Sequence, residues 1–223
     1  MPTVLITGCD SGIGREFTRQ YAEAGWRVIA TYRDLANRLP DQGDTRHRAL
    51  DMTRFEQFAA VKAELGNEPI DILVSNAGIG RDTMKLGTID FDYVRQMYQV
   101  NTVGALKLVE TFLPNLVAST ERKIAFVSSR MGSIGSNLSG GAYGYRASKA
   151  ALNAIARSLS IDLYGQGIIV AVFHPGRVKT EGGGAGAPIE PADSIAGMRR
   201  ILRDLGNHET GQFYTYTGMP LPW

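Results

Sequence analysis

The sequence has little of what marks secreted, membrane-spanning or disulfide-bonded proteins. Its single cysteine, Cys9, excludes an internal disulfide and is typical of a reducing compartment. No run of about 18 apolar residues is present to span a bilayer. The first residues, MPTVLITGCD, lack the basic and long apolar parts of a signal peptide. We therefore expect a cytoplasmic protein without a membrane partner.

An excess of charge is also absent. The chain has 24 lysine and arginine residues against 22 aspartate and glutamate residues, and no basic run that could follow a phosphate backbone. We therefore expect no nucleic-acid partner. The histidines His47, His174 and His208 lack the spacing of a metal site, so no metal is predicted. With 43% apolar and 21% charged residues, the composition predicts one globular domain, residues 1–223.

Glycine is the residue type in excess, with 26 of 223 positions, against a usual fraction of about 7%. The glycines cluster in predicted loops rather than in helices or strands. Loops that follow strands are where the backbone can approach a ligand closely, so this pattern indicates a binding edge.

Short β-rich segments alternate with amphipathic helical segments along the whole chain. The predicted strands are 3–7, 27–32, 47–51, 70–78, 123–129, 168–176 and 211–216. The predicted helices are 13–25, 55–65, 90–118 with an interruption at 101–104, 144–164 and 192–205. Apolar strands separated by helices predict a parallel sheet covered on both faces. We expect a single doubly wound α/β Rossmann domain with about seven strands.

The segment TGCDSGIG, residues 7–14, lies between the first predicted strand and the first predicted helix. Gly8 permits a tight turn, Gly12 lets the backbone approach a pyrophosphate, and Gly14 lets the helix pack on the strand. The N–H groups of the first helical turn favour an anion. A plain strand-to-helix turn is the alternative, but the position in the first βαβ unit favours dinucleotide binding.

The end of the second strand bears on the choice of cofactor. An acidic residue there would bind the 2′-hydroxyl of NAD, whereas an arginine suits the 2′-phosphate of NADP. The sequence has Tyr32 at this point, followed by Arg33. NADP is therefore favoured and NAD remains possible. The alternative is an exposed loop arginine whose charge is neutralised by Asp34.

Two tyrosines lie close together in GGAYGYRASKAALN, residues 140–153. Lys149 follows Tyr145 by four residues and can share its helix face, whereas the same step from Tyr143 leads to Ala147. A nearby ammonium stabilises a phenolate and lowers its pKa. Tyr145 is therefore the candidate proton donor or acceptor, although such a pair also occurs on ordinary helices.

Six motifs occur here in the order typical of one family: TGCDSGIG, NAG (76–78), the asparagine of YQVNTVGAL, VSS (127–129), YRASK (145–149) and HPGRVKT (174–180). The chain resembles the short-chain dehydrogenases/reductases, and SSRMGSI with the terminal LPW resembles the carbonyl-reductase branch that includes the C-factor and sniffer proteins. The resemblance implies NAD(P)H-dependent interconversion of a carbonyl compound and an alcohol. It implies a catalytic tetrad of Asn101, Ser129, Tyr145 and Lys149.

The resemblance also implies roles for other residues. Ser129 and Tyr145 would hold the carbonyl oxygen, Lys149 would bind the nicotinamide ribose, and Asn101 would hold a water. The adenine would meet Asp51 and Met52, the adenosine ribose the NAG segment, and the nicotinamide carboxamide the HPGRVKT segment. A homodimer or homotetramer is expected. The full set of predicted cofactor-binding residues is Gly8, Ser11, Gly12, Ile13, Gly14, Arg33, Asp51, Met52, Asn76, Ala77, Gly78, Tyr145, Lys149, Pro175, Val178 and Thr180.

Three departures from the family pattern leave alternatives open. The family's serine usually lies 13 residues before the tyrosine, where this chain has Gly132, so Ser129 requires a longer loop and Ser128 and Ser133 are alternatives. Asp10 replaces a commoner serine or asparagine, and it would have to point away from a pyrophosphate. Arg177 and Glu181 replace the branch's tryptophan and aspartate, which affects substrate contacts. A dinucleotide-sensing protein with little turnover is the alternative function.

Overall fold

Short runs of β-branched and other apolar residues form most of the strands, and their side chains are largely buried except in the two edge strands. The computed structural model describes residues 1–80, 85–184 and 186–223. Its strands form one parallel sheet of order β3-β2-β1-β4-β5-β6-β7. Their bounds are β1 Thr3–Ile6, β2 Arg27–Tyr32, β3 Thr45–Ala49, β4 Ile72–Ser75, β5 Lys123–Val127, β6 Ile169–His174 and β7 Gln212–Thr215.

Amphipathic helices cover both faces of this sheet. They are α1 Gly12–Glu23, α2 Phe55–Leu65, α3 Phe91–Tyr98, α4 Gly104–Val117, α5 Tyr143–Asp162 and α6 Pro191–Asp204. One apolar core layer joins the sheet to α2, α4 and α5, and the other joins it to α1 and α6. The prediction of a doubly wound α/β fold is confirmed. In the part of the chain that the structure describes, no helix is both long and apolar enough to cross a bilayer.

Several element boundaries differ from the sequence-based expectations, among them the following three. The third strand begins at Thr45 and ends at Ala49 rather than spanning 47–51, because it is an edge strand that pairs only with β2 and therefore tolerates charged residues. The fourth strand ends at Ser75, because the chain leaves the sheet at Asn76. The expected interruption at 101–104 is a π-helical segment, Gln99–Val103, that joins α3 to α4 without ending the helix.

The parallel arrangement brings the loops after β1, β4, β5 and β6 to one edge of the sheet. The strand order reverses between β1 and β4, and a crevice for a ligand forms at such a point in open α/β sheets. The C-terminal tail folds back toward this edge. The Leu221 N–H donates to Phe213 O at 2.7 Å, and the Trp223 carbonyl accepts the Gly135 N–H at 3.0 Å.

Candidate active site

The predicted phosphate loop lies between β1 and α1, and it leaves no room for a side chain at Gly8 or Gly14. Gly8 has a φ of +71°, and a Cβ there would lie 2.8 Å from Ala77 Cα. A Cβ on Gly14 would overlap the Gly8 carbonyl, so α1 begins in close contact with the turn. The first turn of α1 contains no acidic residue. This glycine cradle at a helix N-terminus fits the pyrophosphate of a dinucleotide.

Asn76 connects the end of β4 to the same loop. Its side-chain Nδ2 donates to Thr7 O at 2.9 Å and to Gly8 O at 3.2 Å. The backbone N–H groups of Asn76 and Ala77 donate to Thr7 Oγ1 at 3.0 and 3.1 Å. The NAG segment is therefore hydrogen-bonded directly to the phosphate loop, and the two segments hold each other in place.

Asp10 points away from the helix N-terminus, as the dinucleotide reading requires. Its carboxylate accepts the backbone N–H groups of Arg33 and Asp34, both at 3.0 Å. Asp34 uses its own carboxylate to accept the Ala36 N–H at 2.9 Å and so caps the short turn after β2. Arg33 is exposed beside this turn.

Asp51 lies at the same end of the crevice as Arg33. Burial acts to raise the pKa of its carboxyl, but hydrogen bonds from Thr53 and the nearby charge of Arg33 help to hold the pKa below its usual value. Met52 is buried, and its carbonyl packs against Gly104. The Met52 side chain therefore belongs to the core, and only its backbone is available to an adenine.

The catalytic tyrosine and serine predicted from the sequence contact each other. The side chain of Ser129 forms a hydrogen bond with Tyr145, and Ser129 Oγ also accepts the Met131 N–H at 3.1 Å. Burial raises the pKa of the Tyr145 phenol, and the bond to Ser129 lowers it in part. The net pKa is raised, so the phenol carries its proton at neutral pH. Burial and Ser129 are what shift the pKa of Tyr145, so the lowering by Lys149 expected from the sequence is not observed.

The other two candidate serines are bonded elsewhere. Ser128 is buried and donates to Asn153 Oδ1 on α5 at 2.7 Å. Ser133 is buried and donates to Ser136 Oγ at 3.0 Å, next to the C-terminal tail. Of the three serines, Ser129 is therefore the one placed beside Tyr145.

Lys149 and Asn101 lie together beside Gly78. Lys149 Nζ is buried and donates to Val127 O at 3.0 Å, and burial lowers the pKa of this ammonium to about 8. Asn101 Nδ2 donates to Ile79 O at 2.8 Å, and its Oδ1 accepts the Ile79 N–H at 2.8 Å. A Cβ on Gly78 would lie 3.2 Å from both Lys149 Nζ and Asn101 Oδ1. The side-chain amide of Asn101 is thus already hydrogen-bonded to other residues. A bound water would have to form its hydrogen bond with another atom of this segment.

The loop after β6 approaches the phosphate loop. A Cβ on Gly12 would lie 3.0 Å from Thr180 Cγ2. Pro175 is anchored through its carbonyl, which accepts Ser194 Oγ at 2.7 Å, and Val178 is buried. Of the remaining predicted cofactor residues, Ser11 is exposed at the start of α1 and Ile13 is partly buried in its first turn.

Two further residues of the site escape sequence reasoning. Ser148 Oγ accepts Asn101 Nδ2 at 3.0 Å and donates to Tyr145 O at 3.0 Å. Its position next to Lys149 in YRASK could have singled it out. Gly80 has a φ of +150°, and a Cβ there would lie 2.7 Å from Tyr145 Cε2 and closer still to Cδ2. Nothing in the sequence near Gly80 indicates this contact. Among the described residues, no group of three or more potential metal ligands is present.

Comparison with known proteins places this geometry in a family. Residues 2–186 match the family model described as short chain dehydrogenase. The chain belongs to the short-chain dehydrogenase family. A Rhodococcus relative, strain AD45, is named 1-hydroxy-2-glutathionyl-2-methyl-3-butene dehydrogenase. It is 33% identical over 229 residues and covers 100% of both chains.

Two solved structures of this family are similar along the entire chain. Carbonyl reductase sniffer of D. melanogaster superposes with a TM-score of 0.90 and 30% identity, covering 100% of both chains. The NADPH-bound carbonyl reductase from chicken fatty liver gives a TM-score of 0.87 and 30% identity, covering 100% of this chain and 99% of the other. The resemblance to carbonyl reductases of the short-chain family is confirmed, and the chain is an oxidoreductase of the NAD(P)-dependent type.

Proposed function

We propose that this short-chain dehydrogenase is an NADP-preferring carbonyl reductase that interconverts an aldehyde, ketone or quinone and its alcohol. The observation that carries the proposal is the contact between Ser129 and Tyr145, a residue on the same helix as the buried Lys149. A protonated phenol and a hydroxyl group side by side are donors suited to the oxygen of a carbonyl group, where negative charge develops during reduction.

Each residue of the candidate tetrad has a separate role in the proposed reduction. Ser129 Oγ and the Tyr145 phenol hold the carbonyl oxygen, and Tyr145 gives its proton to that oxygen. The hydride for the carbonyl carbon would come from the nicotinamide of a cofactor held by the phosphate loop and the NAG segment. Lys149 would stabilise the phenolate that remains and bind the ribose of the cofactor. The hydrogen bonds between Asn101 and Ile79 keep the segment after Gly78 in place. Oxidation of an alcohol uses the same groups in the reverse direction.

NADP preference rests on Arg33 and on the likeness to a reductase that binds NADPH. Arg33 is exposed next to the turn where the adenosine ribose is expected, and its guanidinium is suited to two bonds with a phosphate. The phosphate loop, the NAG segment and Thr180 would hold the rest of the dinucleotide. NAD fits the same cradle without a phosphate contact.

The test is the oxidation of NADPH and of NADH against a panel of aldehydes, ketones and quinones, with Tyr145→Phe as the variant. We expect turnover with NADPH that falls at least about a hundredfold in the variant, because the proton donor is lost. The matched control is Tyr143→Phe, which removes an exposed phenol two residues away and should retain activity.

Each outcome separates one part of the proposal from the rest. A preference for NADH would contradict the role of Arg33 and leave the catalytic assignment intact. Activity that survives in Tyr145→Phe would show that the proton comes from another group. Tight binding of NADPH without turnover on any carbonyl compound would favour a dinucleotide-sensing protein.

A further inference from the structure

Arg130 is carried by the same turn that positions the candidate catalytic serine. It follows Ser129 directly and begins the 3-10 turn Arg130–Gly132. Ser129 caps this turn by accepting the Met131 N–H, and a Cβ on Gly132 would lie 2.8 Å from the Lys149 backbone. The turn is thus fixed on the catalytic helix, and the exposed side chain of Arg130 starts one residue away from the group that binds Tyr145.

The charge of Arg130 is not balanced by any residue that the structure describes. Among residues 1–80, 85–184 and 186–223, no hydrogen bond or ion pair engages its guanidinium. Two other cations near this edge of the sheet are engaged: Arg146 donates to Gly141 O and Ser139 Oγ, and Lys179 pairs with Glu190. Arg130 therefore differs from Arg146 and Lys179 in having no hydrogen-bond or ion-pair partner among the described residues, as does Arg33 at the adenosine end.

The residue that faces Arg130 cannot supply the missing negative charge. His174 ends β6 beside it, and burial together with the nearby Arg130 lowers the pKa of this imidazole to about 4. The imidazole is therefore neutral at pH 7, and its buried Nδ1 has no hydrogen-bond partner in the described chain. The effect on His174 indicates that the guanidinium lies near the carboxyl end of β6, where the loop that contains Arg177 and Thr180 begins.

A second cation lies on that loop. Arg177 is exposed three residues after His174 and bonds to the Gly186 carbonyl, with no carboxylate partner among the described residues. The two arginines give the substrate end of the crevice a positive field that is separate from Arg33 at the adenosine end. Charge of one sign in a crevice raises the local concentration of oppositely charged ligands.

We propose that Arg130 binds a carboxylate of the substrate while Ser129 and Tyr145 hold its carbonyl oxygen, so that the enzyme prefers carboxylate-bearing aldehydes and ketones. This inference rests on the proposed carbonyl reductase function. The guanidinium fork matches a carboxylate with two parallel bonds, and Arg177 supports the same preference through its field. Neutral carbonyl compounds of equal size leave the Arg130 charge in water and gain nothing from it.

The test compares 4-formylbenzoate with methyl 4-formylbenzoate, two aldehydes that differ in the charge of one group. The wild-type protein is expected to reduce the carboxylate with a kcat/KM roughly ten- to a hundredfold above that of the ester, the range of a charge-assisted bond. Arg130→Met should remove this advantage, so that the ratio of the two kcat/KM values falls to about one. Arg130→Lys should retain part of it, and added salt should weaken it.

Arg203→Met is the matched control, because Arg203 is an exposed cation on α6 that pairs with Asp204 away from the site. It should leave both rates unchanged. If Arg130→Met lowers the two rates equally, Arg130 acts through the turn that holds Ser129, and the inference is wrong. If the wild-type protein does not distinguish the two aldehydes, the inference is also wrong, while the proposed function stands.

A binding arm keeps the inference separate from turnover. Calorimetric titration of 4-formylbenzoate into the protein with NADP⁺, which cannot reduce an aldehyde, measures the dissociation constant directly. We expect it to rise roughly ten- to a hundredfold in Arg130→Met. If the dissociation constants differ in this way but NADPH does not reduce 4-formylbenzoate, the proposed function is contradicted and the inference about Arg130 stands. Equal dissociation constants in the two proteins would overturn the inference whatever the activity.

Discussion

At the scale of single residues, the candidate catalytic side chains pack directly against the backbone of glycine residues. The ring of Tyr145 lies on Gly80, and Lys149 lies between Gly78 and Gly132. Each of these glycines lets the chain approach a candidate catalytic residue to a distance that a Cβ would prevent. The geometry of tyrosine and lysine therefore depends on three residues that carry no chemistry of their own.

Gly80→Ala tests this dependence most directly. The methyl group would overlap the Tyr145 ring, and the φ of +150° is itself unfavourable for alanine. We expect kcat to fall at least about tenfold, because a misplacement of about 1 Å has such effects, with NADPH affinity nearly unchanged. Steady-state kinetics and fluorescence titration with NADPH measure the two quantities.

Gly140→Ala is the control for this change. Gly140 also has a positive φ, of +64°, but a Cβ there meets nothing within 4 Å. It carries the backbone penalty without the collision, so its kcat should stay near that of the wild-type protein. Similar losses of kcat in both variants would show that backbone strain, and not the Tyr145 contact, is responsible.

Contacts between residues close together in the sequence could be predicted, whereas contacts between distant residues could not. Tyr145 and Lys149 are four residues apart on one helix, so helix geometry alone paired them. Ser129 needed the family resemblance, because the loop before Tyr145 is longer than usual. Gly80 meets Tyr145 across 65 residues of sequence, and no local pattern reports such a contact.

At the scale of elements, the strands and helices were predictable because their apolar patterns reflect burial in two core layers. The edge strand β3 was placed two residues too late, since an exposed edge has no strong apolar pattern. The π-helical segment was expected as an interruption, because its hydrogen bonding has no clear sequence signal. It carries Asn101 and lets Thr102 Oγ1 donate to Ser148 O at 2.9 Å, which joins this segment to α5.

The phosphate loop and the turn after β2 form a second joined pair of elements, connected by Asp10. Asp10→Ala removes both bonds and frees the turn that carries Arg33. We expect the preference for NADPH over NADH to fall roughly five- to tenfold, since each charged hydrogen bond contributes about 1.5 kcal/mol or more. Dissociation constants for both cofactors, from fluorescence titration, give the ratio.

Asp10→Asn separates tethering from charge. The amide oxygen can still accept a backbone N–H, so the cofactor ratio should remain closer to that of the wild-type protein. If both variants instead bind NADPH and NADH more tightly by the same factor, the carboxylate acts by repelling the pyrophosphate and does not position Arg33.

At the scale of the whole molecule, the buried ammonium of Lys149 makes the stability of the fold depend on pH. Burial lowers the pKa of Lys149 from 10.5 to about 8, so the folded state disfavours the charged form. Above pH 10.5 the amine is neutral in both states and carries no penalty. The penalty develops as the pH falls from 10.5 to 8 and is complete below pH 8.

Lys149→Met should therefore change how stability responds to pH in the cofactor-free protein. Between pH 7 and pH 9.5 the free energy of unfolding of the wild-type protein should rise by about 2 kcal/mol relative to that of the variant, at 1.36 kcal/mol for each pKa unit. Urea denaturation at the two pH values measures both free energies, and the comparison cancels groups that titrate alike in both proteins. Remaining below pH 9.5 avoids the Tyr145 phenol, whose raised pKa acts in the opposite direction at higher pH. A difference that stays constant from pH 7 to 9.5 would mean that Lys149 keeps its ordinary pKa, and that its ammonium is hydrated in the folded protein.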